Sequence, residues 1–231
     1  MADLSDFLVT KRWPAQNPDI LQVYAFGTPN GRKVPIALEE MGIEYEYHST
    51  GGLSDDIMRS PEFLSLSPNN KIPAILDPNG PDGTPLGLFE SGAILQYLAE
   101  KSGKFAGTTA SEKFTVYQWL MWQMGGAGPM FGQLGFFYKF AGAKMEDPTA
   151  RDRYITESKR LLNVLNTQLN KHDWVAGDYS IADMAIVPWL TTLDYYGARD
   201  VLGWSDFTNV VDYEKRFYDR PAVQRALERM A

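Results

Sequence analysis

The feature that most restricts the fold is a change in sequence pattern near residues 103–110. Before it, strand-like and helix-like segments alternate; after it, only helical patterns appear. The predicted strands are 21–26, 44–49, 72–77 and 86–89, with helices at 31–41 and 91–101. The later helical stretches are 111–141, 147–171, 180–195 and 208–230. This order predicts an α/β domain with a mixed four-stranded sheet, followed by an all-α domain.

The predicted domain boundaries follow the same patterns. Residues 1–19 are interpreted as an N-terminal extension, 20–103 as the α/β domain and 108–231 as the all-α domain. In the extension, the Trp13-Pro14 and Asn17-Pro18 pairs argue against a helix. Its apolar side chains are expected to pack onto the body of the protein, and they are Phe7, Leu8 and Trp13.

Charge and hydropathy argue against several classes of partner. The chain has 231 residues, of which 44% are hydrophobic, and a formal net charge of -7. A nucleic-acid-binding protein would normally show a basic stripe, so no nucleic-acid partner is expected. No apolar run is long enough to span a membrane, and the N-terminus lacks the pattern of a secretory signal. We therefore expect a cytoplasmic protein without a membrane partner.

Cysteine is absent from the sequence, and there are two histidines, His48 and His172. A chain of this composition has no disulfide and no thiol nucleophile of its own. No metal site is expected, because the two histidines are far apart in the sequence. Any thiol chemistry would have to use a thiol that a ligand supplies.

The stretch AFGTPNGRKV, residues 25–34, joins the first strand to the first predicted helix. Thr28 and Asn30 would lie at the positive end of that helix dipole, where an anion or a thiolate is stabilised and the pKa of a thiol falls. The alternative interpretation is a simple strand-to-helix turn. Tyr24 could also donate to a thiolate, but its position inside the strand favours a packing role.

The stretch SLSPNNKIPAILD places Pro73 directly before a strand. If the Ile72–Pro73 bond is cis, the backbone N–H and C=O of Ile72 face outward and can pair with an extended, peptide-like ligand. The alternative is an ordinary proline between a loop and a strand. The spacing alone favours that alternative, because cis bonds before proline are a minority.

In LFESGAILQYLAE, Ser91 stands where the N-cap of the next helix is expected. A helix N-terminus attracts a carboxylate, and Glu90 beside it could bind an ammonium, so the pair suits an α-amino-acid head group. Taken alone, a simple cap with an exposed glutamate is the favoured interpretation. In GDYSIADMA, Ser180 and Asp183 resemble a capping box, which we assign to folding.

Together these motifs, in this order, resemble the cytosolic glutathione transferases over residues 21 to about 228. GTPNGRKV, SPNNKIPAI, LFESGAILQYLAEK and WLMWQMGGAGPMFGQ are similar to the Nu class, the branch of disulfide-bond oxidoreductases. The resemblance implies a thioredoxin-like N-terminal domain, a helical C-terminal domain, a homodimer, and glutathione as co-substrate.

The resemblance also implies roles for residues at the sulfur and peptide parts of glutathione. Thr28 and Asn30 would face the sulfur. Ile72, beside a cis-Pro73, would pair its backbone with the cysteinyl part, and Lys71 would lie near the glycyl carboxylate.

Further roles concern the γ-glutamyl end and a second ligand. Glu90 and Ser91 would hold the γ-glutamyl head, and Arg153 matches an arginine that helps to bind a second glutathione. One departure stands at Met58, where a glutamine is common in the class. That departure predicts a different loop over residues 53–60.

Three activities fit this set of residues. The first is a glutathione-dependent disulfide reductase, in which two bound glutathiones supply both electrons. The second is a conjugating transferase or peroxidase, with a small electrophile accommodated by the aromatic residues within 119–140. The third is a glutathione-binding regulator without turnover, since a fold does not fix an activity.

Overall fold

A computed structural model describes residues 4–231, which divide into two compact units. The first unit contains residues 4–104 together with the C-terminal segment Pro221–Ala231, and the second contains Phe105–Arg220. The C-terminal segment thus belongs to the first unit, although the sequence pattern groups it with the helical domain. The domain boundaries given above stay a prediction.

In the first unit, helices and strands alternate around one mixed sheet. The elements are α1 (Val9–Arg12), β1 (Leu21–Ala25), α2 (Pro29–Met41), β2 (Tyr45–Ser49), α3 (Asp55–Met58), α4 (Pro61–Leu64), β3 (Ala74–Asp77), β4 (Leu86–Phe89) and α5 (Ser91–Ser102). The strand order is β2-β1-β3-β4, with β1 parallel to β2 and the other two pairs antiparallel. The predicted mixed four-stranded sheet is confirmed.

The N-terminal segment covers one face of this sheet. Leu4 and Val9 are buried in a cluster with Tyr24 and Phe63, and Trp13 packs against the same cluster. The predicted absence of a helix is wrong, because a 3-10 turn spans Leu4–Asp6 and α1 spans Val9–Arg12. Proline restricts the residue before it, so Trp13 is excluded from a helix while a turn ending at Arg12 is allowed.

The last helix, α12 (Pro221–Met230), packs against α2. Arg225 Nε lies 3.0 Å from Glu39 Oε2, and Arg229 Nη1 lies 3.4 Å from Glu39 Oε1. This shared carboxylate and the apolar face of α12 explain why the segment belongs to the first unit.

The second unit is helical, with α6 (Ala110–Trp122), α7 (Gly128–Tyr138), α8 (Thr149–Leu169), α9 (Ile181–Tyr195), α10 (Arg199–Leu202) and α11 (Thr208–Tyr218). Two predicted stretches are divided. A π-helical turn at Gln123–Ala127 separates α6 from α7. The stretch 208–230 breaks before Pro221, because proline disfavours helical geometry in the residue that precedes it.

The predicted capping box at the start of α9 is confirmed. Asp183 is completely buried, and its Oδ2 accepts hydrogen bonds from the N–H and the hydroxyl of Ser180 at 2.8 and 3.1 Å. Its Oδ1 accepts from Val175 N–H at 3.0 Å and from the Tyr213 hydroxyl at 2.7 Å. Burial raises the pKa of Asp183 to about 6, although these hydrogen bonds act in the opposite direction.

Candidate active site

The sheet register brings three loops of the first unit to the same end of the sheet. Tyr24 pairs with Ala74, and Ala74 pairs with Phe89. Because both pairings are antiparallel, the chain leaving β1 and the chain leaving β4 flank the chain that enters β3. The predicted site residues Thr28, Ile72 and Glu90 follow or precede these strand ends, so the fold places them at the same end of the sheet.

At the start of α2, a hydrogen bond fixes the position of the Thr28 hydroxyl. Thr28 is the N-cap, and its Oγ1 accepts a hydrogen bond from the N–H of Gly31 at 3.2 Å. A hydroxyl that accepts in this way keeps its own hydrogen to donate, so the same side chain can cap the helix and bind an anion. Asn30, the second residue of α2, is half-buried beside it.

Gly31 fixes how tightly this turn closes. A Cβ atom at residue 31 would lie 1.9 Å from the carbonyl oxygen of Phe26 and 3.1 Å from Cδ1 of Ile72. The first distance is far shorter than any real contact, so a side chain cannot be accommodated without opening the turn. The second shows that the start of α2 packs directly against the Ile72 side chain.

The Ile72–Pro73 peptide bond is cis. Neither the N–H nor the C=O of Ile72 is hydrogen-bonded to another residue of the described chain. The loop before it is held by the Ser67 hydroxyl, which donates to the carbonyl of Lys71 at 2.8 Å. Both backbone groups of Ile72 are thus available for a ligand with peptide character.

At the start of α5, the prediction that Ser91 is the N-cap is wrong. The N-cap is Glu90, with φ 71° and ψ 109°, and Ser91 is the first helical residue. The Ser91 hydroxyl is turned inward and is almost fully buried, whereas Glu90 is exposed. Asn69 Nδ2 lies 3.4 Å from Glu90 Oε1, which links the loop before Ile72 to this turn.

Lys33 is a residue of this region that the motifs did not indicate. Its side chain is completely buried, and its Nζ donates to Ser91 Oγ at 3.3 Å. Burial lowers the pKa of Lys33 to about 7, with the negative charge of Glu90 acting in the opposite direction. A signal was present, since Lys33 lies four residues before Ala37 and therefore on the apolar face of α2.

Lys71 and Met58 differ in exposure. Lys71 is exposed, so its ammonium can reach a carboxylate in solvent. Met58 is buried in the cluster with Phe63 and Leu66, at the end of the single turn α3. The side chain that stands in place of the usual glutamine therefore packs into the core.

Tyr24 has the packing role that its strand position favoured. It is completely buried, stacks on His48 with a centroid distance of 4.9 Å, and meets the Trp13 ring edge-on at 5.9 Å. Its hydroxyl has no hydrogen-bond partner among the described residues. Burial raises the pKa of the Tyr24 phenol well above its ordinary value, which opposes a role as an acid.

Arg153 lies in the second unit, on the exposed side of α8. It lines an open groove of about 530 Å³ together with Met130 and Tyr154. The Tyr154 ring stacks on Phe137 at a centroid distance of 5.4 Å. One turn along α8, Glu157 forms an ion pair with Arg160, with Nη2 to Oε1 at 2.7 Å.

Comparison with known families agrees with this architecture. The "Glutathione S-transferase, N-terminal domain" family matches residues 27–101, and the "Glutathione S-transferase, C-terminal domain" family matches residues 129–221. The "Disulfide-bond oxidoreductase YfcG" of Escherichia coli (strain K12) is 42% identical over 210 residues, which is 90% of this chain and 94% of that protein. The chain belongs to the glutathione S-transferase family.

Two solved structures of this family are similar over nearly the full length. A glutathione transferase from Pseudomonas putida, with one glutathione disulfide bound per subunit, is 55% identical and has a TM-score of 0.95, covering 98% of each chain. One from Burkholderia graminis, with two glutathione molecules bound per subunit, is 54% identical with a TM-score of 0.95. It covers 99% of this chain and 95% of its own.

Residues 4–231 contain neither a candidate metal-binding group nor a candidate membrane-spanning helix. No group of three or more His, Cys, Asp or Glu side chains in this part of the chain is placed to hold a metal ion. None of its helices combines the length and the apolar character that crossing a membrane requires.

Proposed function

We propose that this glutathione S-transferase family member is a glutathione-dependent disulfide-bond oxidoreductase whose electrons come from two bound glutathiones. The observation that carries the proposal is the Thr28 hydroxyl, which caps α2 and keeps its hydrogen for an anion, in a chain that has no cysteine. A thiolate at this point must belong to a ligand. Its pKa would be lowered by the helix N-terminus and by the hydroxyl.

The proposed reaction has two exchange steps. The thiolate of one glutathione attacks a disulfide RSSR′, which forms a mixed disulfide and releases R′S⁻. The thiolate of the second glutathione then attacks the glutathione sulfur of the mixed disulfide and releases RS⁻. The substrate gains two electrons and two protons, and the two glutathiones become glutathione disulfide.

The residues of the first unit position the first glutathione in this proposal. Thr28 and Asn30 lie at the sulfur, the Ile72 backbone beside Pro73 pairs with the cysteinyl unit, and the enzyme contributes orientation and electrostatics. At the two ends of the tripeptide, Lys71 binds the glycyl carboxylate, and Glu90 and Ser91 bind the γ-glutamyl head.

The second glutathione is proposed to bind with the help of Arg153. Its exposed guanidinium is suited to a carboxylate, because its donors match the two oxygens. The relative from Burkholderia graminis binds two glutathione molecules and the one from Pseudomonas putida binds glutathione disulfide. These ligands correspond to the reactants and the product of the proposed reaction.

Three further properties belong to the same proposal. We assign the chain to the Nu class, because its motifs and its similarity to YfcG both favour that branch. We expect a homodimer, for which the exposed Phe114 and Met121 on one face of α6 are suitable contacts. We also expect a cytoplasmic location, where glutathione is kept reduced.

The test is an assay of glutathione-dependent reduction of 2-hydroxyethyl disulfide, run beside conjugation of a chloronitrobenzene. The proposal predicts rapid disulfide reduction and slow conjugation. Conjugation without disulfide reduction would overturn it in favour of the transferase alternative. Binding of glutathione without either activity would favour the regulatory one.

Variants of the first helix turn then test the site. The pair Thr28→Ala and Asn30→Ala should remove most turnover while glutathione still binds through the loops at Ile72 and Glu90. The matched control is Thr109→Ala, which removes an N-cap hydroxyl from α6 in the other unit. Unchanged turnover in the Thr28 and Asn30 variants would mean that backbone N–H groups alone stabilise the thiolate.

A further inference from the structure

The position of Lys33 is not explained by packing. Its ammonium is completely buried between α2 and α5, and Nζ lies 3.3 Å from Ser91 Oγ, a residue 58 positions later. Burying a charge costs free energy unless partners compensate for the lost water. An aliphatic side chain at residue 33 would fill the same space without that cost.

The chemistry of the contact fixes the direction of the Ser91 hydroxyl. An ammonium group has three donors and no acceptor, so Ser91 Oγ accepts the hydrogen bond from Lys33. The hydrogen of Ser91 must then point away from Lys33. Ser91 is also the first residue of α5, whose leading N–H groups carry the positive end of the dipole. The ammonium and the helix N-terminus thus act on the same place.

The negative field of Glu90 acts on Lys33, and β1, which packs on α2, carries no charged side chain. On the other packed helices, Arg225 and Arg229 pair with Glu39, and Lys101 pairs with Asp77.

We propose that Lys33 is a positioning residue for the α-carboxylate of the γ-glutamyl group, which it neutralises through the oriented hydroxyl of Ser91. This inference rests on the glutathione site proposed above. The γ-glutamyl head carries one ammonium and one carboxylate. Glu90 provides for the ammonium, and Lys33 supplies the full positive charge that the serine and the backbone N–H groups lack.

The test uses two probes whose sulfur cannot ionise. One is S-methylglutathione, and the other is the same molecule without the γ-glutamyl α-carboxylate, γ-aminobutyryl-S-methylcysteinylglycine. Titration calorimetry compares the wild-type protein with Lys33→Met, whose unbranched side chain is one atom shorter and carries no charge. The matched control is Lys71→Met, because both probes retain the glycyl carboxylate.

We expect Lys33→Met to weaken binding of S-methylglutathione roughly ten- to a hundredfold, the range for a charge-assisted hydrogen bond. Binding of the probe without the α-carboxylate should change less than about twofold. Lys71→Met should weaken both probes by the same factor. Equal loss for both probes in Lys33→Met, or no loss for either, would overturn the assignment.

The pH dependence of the wild-type protein decides the question if Lys33→Met does not fold. Since burial lowers the pKa of Lys33 to about 7, raising the pH from about 6 to 8.5 discharges the ammonium of the free protein. The preference for S-methylglutathione over the decarboxylated probe should fall over this range, and a constant preference would overturn the proposal. If the wild-type protein binds neither probe at any pH, the proposed glutathione site itself is wrong.

Discussion

The starts of α9 and α5 contain similar residues, a serine and an acidic residue, in different arrangements. At α9, both oxygens of the buried Asp183 accept hydrogen bonds from the protein itself, two of them from Ser180. At α5, the carboxylate of Glu90 is exposed, and Ser91 is turned toward the buried Lys33. The carboxylate at the start of α9 is therefore hydrogen-bonded within the protein, whereas the carboxylate at the start of α5 faces solvent.

The difference shows how a capping motif can be assigned to folding or to ligand binding. A cap whose acceptors are all occupied by protein donors stabilises the helix and has no capacity left for a ligand. At Glu90 the backbone has a φ of 71°, which is unfavourable for a residue with a side chain. Such conformations persist where they position a functional group.

The largest effect that this comparison predicts is on stability at α9. Asp183→Ala removes the acceptor of several buried donors, including the Tyr213 hydroxyl and the Val175 N–H. We expect a loss of about 4 kcal/mol in the free energy of unfolding, in the range for breaking a buried charged network. Urea denaturation and the thermal midpoint measure it.

The control for this variant is the glutathione affinity of the molecules that remain folded. Their affinity for glutathione should stay within a factor of about two, because the residue has no role in the proposed site. A variant that loses affinity without losing stability would contradict the division of roles between the two helix starts.

The next effect is on binding, at α5. Glu90→Ala should weaken glutathione binding by about 1.5 to 3 kcal/mol, since a charge-assisted hydrogen bond is lost, with little change in stability. Glu90→Gly should lose the same affinity but gain about 1 kcal/mol of stability, because glycine adopts a positive φ without strain. Calorimetry and thermal denaturation measure the two quantities, and unchanged affinity in both variants would exclude Glu90 from the site.

Sequence patterns predicted most of the fold because each strand and helix carries its own signal. The four strands and the capping box at Ser180 are local features, and the structure contains each of them. The breaks at Gln123–Ala127 and before Pro221 were missed, since a helical period continues across both.

The candidate site was predicted less completely because part of it is not local. Thr28 was recognised from the turn that it caps, but Lys33 contacts Ser91 across 58 positions, a pairing that appears only after α2 packs on α5. The N-cap of α5 was placed one residue late for a related reason. Ser91 has the chemistry of a cap, yet its hydroxyl accepts a hydrogen bond from Lys33, and Glu90 occupies the cap position.

Replacing Lys33 tests whether its buried charge, which we assign to ligand binding, lowers the stability of the protein. Between pH 7 and 10.5 the unfolded chain holds a proton at this residue that the folded chain has lost, so wild-type stability rises with pH across that window. Lys33→Met lacks this slope. Without ligand, it should be more stable than the wild type by about 1 to 4 kcal/mol near pH 6, with a smaller gap near pH 9. Urea titrations at the two pH values measure the gap, and a gap that widens with pH would contradict a buried charge at residue 33.

The smallest predicted effect is on the stability of α2, and it connects the two kinds of helix start. Thr28→Ala should cost about 1 kcal/mol of stability, because the N–H of Gly31 loses its acceptor, and it should also reduce disulfide turnover. Thr28→Ser keeps a hydroxyl in the same place and should restore both properties. Thr28→Asp separates them, since its carboxylate caps the helix but repels a thiolate. Turnover that stays high in Thr28→Asp would show that the threonine, like Ser180, serves the fold alone.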